Sequence, residues 1–201
     1  MPLCSRCTGL YTGFIVSFAI LVLVERKSRR GLPQKKITIS LIVFTALMAG
    51  ESTLSFLHFI PTLKIFRFLT GYLAGWLAAP MIAGLMNNVA VDIKQSVNGG
   101  YVSNNKIIIK WLSPAPFFAV LFYFTYKKAL IFWSIFSLAG MAFFIASMIF
   151  ILIFSTGGRL SNSVSRPGRY ILFFFLSLII SVILIMASSW LKILIRQYLQ
   201  F

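Results

Sequence analysis

Charged side chains are scarce in this chain, and acidic ones are nearly missing. Charged residues make up 11% of the 201, and Glu25, Glu51 and Asp92 are the only acids. A water-soluble domain carries roughly 25% charged residues, so the scarcity excludes that class. Cysteine is as rare: Cys4 and Cys7 permit one bridge at most, so no disulfide framework holds the fold. A second cysteine pair that could relay electrons is also missing. A cleavable signal peptide is not evident. The first apolar run is preceded by Arg6 alone, is long enough to span a bilayer, and leads into a basic cluster instead of a cleavage site. No persuasive internal repeat is present. The net charge of +16 would suggest nucleic acid in a soluble protein, but no basic stretch forms a separate module, so nucleic acid is not an expected partner.

What is present is hydrocarbon. The chain is 59% hydrophobic, with a mean hydropathy of +0.92. Long apolar runs separated by short basic stretches predict an all-α, polytopic helical bundle of about six transmembrane helices, a multi-pass protein of the cell membrane. The spans read as Thr8–Val24, Ile37–Ile60 (stopped by Pro61), Phe68–Met86, Trp111–Tyr126 (with Pro114 and Pro116 in its first turns), Ala129–Phe154 and Tyr170–Trp190. This divides the chain into a three-helix core at 1–86, a polar cytoplasmic loop at 87–110 and a three-helix extension at 111–201.

Basic residues set the expected orientation. The loop after the first span carries Arg26, Lys27, Arg29, Arg30, Lys35 and Lys36. With that loop inside, the inner segments hold 12 of the 19 Lys and Arg and the outer ones 7, which places both termini outside. The 26–36 loop is then a solvated anchor against anionic lipid headgroups, and the partner of the whole chain is the bilayer.

The chemistry-bearing residues gather at one end. Cys4 and Cys7 form a Cys-x-x-Cys pair ahead of the first span, a spacing that lets two sulfurs converge on a metal or close a small disulfide. Alternating spans bring Glu51, His58 and Arg67 to the same side as the thiols. Glu51, Ser55 and His58 share a helix face. A carboxylate inside hydrocarbon needs a partner, and Arg67 is the obvious one; Arg6 belongs to the same polar site. Gly9 and Gly13, with Thr8, Thr12 and Ser17 near the same face, read as a helix-packing surface, as do Thr70, Gly71 and Gly75.

The stretch Pro2-Leu3-Cys4-Ser5-Arg6-Cys7-Thr8-Gly9-Leu10-Tyr11-Thr12-Gly13 resembles the signature of a family of predicted membrane proteins, the domain of unknown function 2085. Glu51-Ser52 and Arg67-Phe68-Leu69-Thr70-Gly71 with Gly75 resemble that family's second block, and the resemblance covers roughly residues 1–85. It implies a Cys-His-Gln segment ahead of the Cys-x-x-Cys that these 201 residues do not include. It also implies that spans four to six are an extension.

Three functions remain open on these residues. In the first, Cys4 and Cys7 bind a metal such as zinc or a small solute, with His58 or Glu51 completing the shell and Arg67 orienting Glu51. In the second, the chain is a structural or assembly protein in which these residues pack. In the third, it is a thiol–disulfide oxidoreductase whose Arg6 favours thiolate. The sequence ranks them in that order, with a non-enzyme ahead of an enzyme.

Overall fold

The structure, a computed structural model, describes residues 4–25, 29–30, 33–56, 64–90, 97–98, 101–102, 104–125, 128–156 and 167–199. Nearly all of them are helical: α1 (Ser5–Val24), α2 (Lys35–Phe56), α3 (Lys64–Ala90), α4 (Asn105–Leu112), α5 (Pro114–Thr125), α6 (Leu130–Thr156) and α7 (Pro167–Leu199). Besides a few capping and turn residues, the exceptions are two short strands, β1 (Arg29–Arg30) and β2 (Val97–Asn98), which pair in parallel. Helices satisfy every backbone polar group within one segment, which hydrocarbon demands. Among the described residues, four stretches are long and apolar enough to cross a membrane: Ser5–Val24, Ile65–Asn87, Asn105–Thr125 and Leu130–Ile153.

The centre of the bundle is the α1–α3 crossing, and glycine makes it possible. A methyl group added at Gly9 would fall on the Phe68 carbonyl oxygen, and one at Gly13 on that of Tyr72. The reverse holds across the contact: Gly71 meets the Arg6 carbonyl oxygen and Gly75 that of Leu10. Each helix thus offers a small-residue groove to the other's backbone, the arrangement that lets helices associate without a hydrophobic driving force. Arg6 lies level with Gly71 and Leu10 with Gly75, so α1 and α3 run parallel.

The remaining helices alternate in direction. Glu51, late in α2, reaches Arg67 and Thr70 at the start of α3. Along α3 and the α4–α5 unit the partners run in opposite order. Trp76 packs on Trp111, Tyr72 donates from its hydroxyl to the Ala115 carbonyl (3.1 Å), and Phe68 stacks on Phe122 at 4.2 Å. Helix α6 folds back on α5 through the Trp133 indole, which donates to the Thr125 hydroxyl (3.0 Å), and lies against α1 through Phe144 on Tyr11 and Phe14. In α7 the Ser181 hydroxyl donates to the Ala142 carbonyl (2.9 Å), while Phe174 lies on Phe150. Large apolar side chains such as Leu23, Phe124 and Ile131 remain exposed on the outside, a surface suited to lipid.

Several boundaries differ from those expected. The third helix extends to Ala90, and the fourth crossing begins at Asn105 instead of Trp111. Lys106 and Lys110 read as loop residues, but both lie on an exposed helix face, while Trp111 is buried. The start is fixed by Asn104, whose side-chain oxygen accepts from the Lys106 N–H (3.3 Å). Pro114 and Pro116 therefore stand at the break between α4 and α5, not at the opening of the span. Pro114 has no N–H for the Lys110 carbonyl, and the Ser113 hydroxyl donates to that carbonyl instead (3.3 Å). The last helix runs from Pro167 to Leu199, longer than Tyr170–Trp190. Pro61 lies outside the described residues.

Pro80 lies inside α3 and is fully buried, and the helix continues through it. Proline removes the N–H that would bond the carbonyl four residues back, here that of Trp76. Ser17 of α1 fills the gap, donating from its hydroxyl to the Trp76 oxygen at 2.8 Å, while the Trp111 indole donates to Ser17 (3.1 Å). A backbone defect in one helix is thus repaired by a side chain from a second and braced from a third.

At the far end of α1 from the thiols, Glu25 is 8% exposed. Both of its carboxylate oxygens accept from the Val102 N–H at 3.3 Å. Val102 is fully buried with φ at 57°, a left-handed conformation that a β-branched residue adopts only when its surroundings impose it. Tyr101 is buried beside it and accepts at its hydroxyl from the Asn87 side chain (2.6 Å). These bonds, with the β1–β2 pairing, tie the segment after α3 to the end of α1.

Candidate functional site: a thiol pair beside a shared carboxylate

Cys4 is the N-cap of α1. Its backbone is extended (φ −65°, ψ 154°), and its sulfur accepts from the Cys7 N–H at 3.3 Å, the place normally taken by a serine or aspartate oxygen. Cys7 lies in the first turn, and its sulfur stands 2.8 Å from that of Cys4 with a shared thiol proton. Both cysteines are free; Cys4 is exposed and Cys7 half-buried. Partial burial alone would push the Cys4 thiol up. The hydrogen bond from Cys7, the backbone N–H groups of Cys7 and Arg6, and the Arg6 charge outweigh it and hold Cys4 below its ordinary value of 9.0. Helix geometry and local charge therefore act together on the more accessible sulfur.

Arg6 lies between the two cysteines in the chain and carries its guanidinium to Glu51. Its Nη2 is 3.5 Å from Glu51 Oε2, and the Arg67 Nε is 3.8 Å from Glu51 Oε1. The Thr70 hydroxyl donates to Glu51 Oε2 at 3.2 Å. One carboxylate from α2 is thus held by a guanidinium from α1, another from α3, and a hydroxyl one turn along α3. The Arg6, Arg67 and Glu51 side chains are 16%, 31% and 25% exposed, so the cluster is sheltered but not sealed.

The residues singled out from the sequence fall into three groups. Cys4, Cys7, Arg6, Glu51, Arg67 and Thr70 meet at one end of the α1–α2–α3 bundle. Gly9, Gly13, Gly71 and Gly75 lie in the α1–α3 contact, whereas Thr70 turns its hydroxyl to Glu51. His58 lies outside the described residues, as do Arg26 and Lys27 of the basic 26–36 loop. Arg67 is the partner of Glu51 that the sequence points to first, with Arg6 in the same polar site; Arg6 makes the shorter contact to Glu51. Ser17 and Pro80 were not paired in the sequence, although Pro80 four residues after Trp76 marks an unbonded carbonyl that some donor must meet.

A structural zinc ion takes four ligands. Among the described residues no group of three or more His, Cys, Asp or Glu converges, so the thiols supply two and Glu51 is engaged by arginines. What the geometry can do unaided is stabilise a thiolate on Cys4 with a second sulfur in bonding reach.

Comparison with curated proteins and comparison with solved structures gave no match. The comparison with protein families did. Residues 1–82, which carry the thiol pair, Glu51, the glycine crossing and the two arginines, match the family described as "Predicted membrane protein (DUF2085)". Over that stretch, somewhat less than half of its length, the chain is similar to the DUF2085 predicted membrane proteins.

Proposed function

We propose that Cys4 and Cys7 form a reversible dithiol–disulfide couple at the outer face of the cell membrane, exchanging with disulfides of other proteins there. The observation that carries this is the 2.8 Å approach of Cys7 to a Cys4 sulfur seated at a helix N-terminus. The sequence ranks metal or solute binding first; the direct approach of the two sulfurs and the engagement of Glu51 by two arginines support placing the dithiol reading ahead of it, with His58 lying outside the described residues. The charge balance of the loops favours the thiol end outside, where disulfides persist.

The exchange balances within the pair and its partner. The Cys4 thiolate attacks one sulfur of a partner disulfide, forms a mixed disulfide and releases a partner thiolate. The Cys7 sulfur, after giving its proton to water, attacks Cys4 Sγ, closes the Cys4–Cys7 bond and releases the second partner thiolate. The chain loses two electrons and two protons, and the partner disulfide gains both. The reverse sequence oxidises a partner dithiol. Arg6 favours the thiolate, and the helix N-terminus holds it in line.

Trapping tests this reading. Cys7→Ser should accumulate a mixed disulfide through Cys4 when membranes are incubated with a disulfide-bonded peptide, and Cys4→Ser should accumulate far less. Equal trapping by the two variants, or stoichiometric zinc in protein purified without chelator, would replace this reading with the structural or the metal one.

A further inference from the structure

We propose that Glu51 is a positioning residue for the thiol pair: by sharing its carboxylate between Arg6 and Arg67, it sets how much of the Arg6 charge reaches Cys4. The inference rests on the dithiol reading for its purpose, but its geometry and its test do not require a disulfide to form.

Arg6 lies between the cysteines in the chain, its backbone N–H and its charge both act on the Cys4 sulfur, and its guanidinium is 3.5 Å from Glu51. A carboxylate at that distance neutralises much of a guanidinium's field, and in a sheltered setting the effect extends over several ångströms. Glu51 is itself divided, with Oε2 toward Arg6 and Thr70 and Oε1 toward Arg67 at 3.8 Å. The more strongly Arg67 holds the carboxylate, the less of it remains to offset Arg6. The described charged groups around the thiols are therefore Arg6 from α1, Glu51 from α2 and Arg67 from α3, with the Tyr11 phenol one turn below on α1. Across three helices they form a relay in which a change at Arg67 is felt at Cys4 with its sign alternating. Because α2 and α3 hold two of its members, any shift of α2 against the α1–α3 crossing would also change thiol reactivity.

A scaffolding role and a positioning role differ in sign. If the cluster only holds helices together, removing any member loosens the site in the same sense. If Glu51 divides its charge, removing it and removing either arginine act oppositely on Cys4. The experiment is the pH profile of Cys4 alkylation by iodoacetamide in the full chain carrying Cys7→Ala, in detergent at low ionic strength. Glu51→Gln is expected to move the profile to lower pH, by roughly one unit. Arg6→Gln is expected to move it to higher pH. Arg67→Gln, which leaves Glu51 to Arg6 alone, should also move it to higher pH. An unchanged or upward profile in Glu51→Gln overturns the proposal. If that variant does not fold, Arg67→Gln decides alone: an upward shift supports the proposal, and an unchanged or downward one overturns it. These profiles hold whether or not wild-type Cys4 and Cys7 ever bridge, so loss of the dithiol reading in the trapping test and loss of this inference remain separate results.

Discussion

At the scale of single residues, the chain shows how much a helix terminus can make of one sulfur. Cys4 caps α1 in place of an oxygen and accepts from the N–H three residues on, while Cys7 shares its proton. Its pKa is lowered, so in the wild type Cys4 should alkylate faster than Cys7, with a profile rising below pH 9.0 as the thiolate fraction grows; peptide mapping after brief labelling checks the order. A Cys7 that labels first contradicts the assignment of Cys4 as nucleophile. The Glu51 contacts predict a second residue-scale result. Glu51→Gln and Arg67→Gln should each destabilise the detergent-solubilised protein, and the double variant should cost less than their sum, with a coupling of about 0.5–3 kcal/mol. Strict additivity would show that the 3.8 Å approach is energetically empty.

At the scale of elements, two devices hold α1 to α3, and they differ in how openly the sequence displays them. The glycine spacings at 9 and 13 and at 71 and 75 mark small-residue faces on their own helices, and those faces meet. Gly75→Ala should cost about 1–3 kcal/mol, because the Leu10 carbonyl is backbone and cannot rotate aside. Thermal unfolding in detergent measures it, and a neutral result would mean that α1 and α3 separate readily. The Ser17–Trp76–Pro80 arrangement is hidden by comparison. Pro80 announces a missing donor, but which of many hydroxyls supplies it depends on the α1–α3 register, and that exists only after packing. Ser17→Ala should cost roughly 1 kcal/mol in the wild type and less in a Pro80→Ala background, where the backbone N–H at position 80 returns to the Trp76 carbonyl. An equal cost in both backgrounds would separate Ser17 from the proline. The expected helices were legible for the same reason as the glycines: apolar runs and basic punctuation are local. The end of the polar stretch at Asn104 was not, because Lys106 and Lys110 look like loop residues until one helix face is known to be exposed. Arg6 as the nearer partner of Glu51 was likewise invisible, since its reach depends on how closely the glycines let α1 and α3 approach.

At the scale of the whole molecule, alternating helix directions place Cys4, Glu51 and Arg67 at one end and Glu25 with Val102 at the other. The loops at the Glu25 end carry the larger share of Lys and Arg, so that end should face the cytoplasm. Single cysteines introduced at Ser28 and Ser161, in a chain lacking Cys4 and Cys7, should resist a membrane-impermeant reagent in intact cells and react after permeabilisation. Labelling of either in intact cells reverses the orientation and puts the thiols in a reducing compartment. The central claim, a working dithiol couple, is tested most directly by equilibrating the membrane-embedded wild type with graded mixtures of a dithiol and its disulfide, then counting free thiols by mass after alkylation. The account predicts one reversible two-electron transition joining a form with both cysteines alkylated to a form with neither, absent in Cys4→Ser. Two thiols that stay reduced across the whole range, or that are lost only irreversibly, would contradict it.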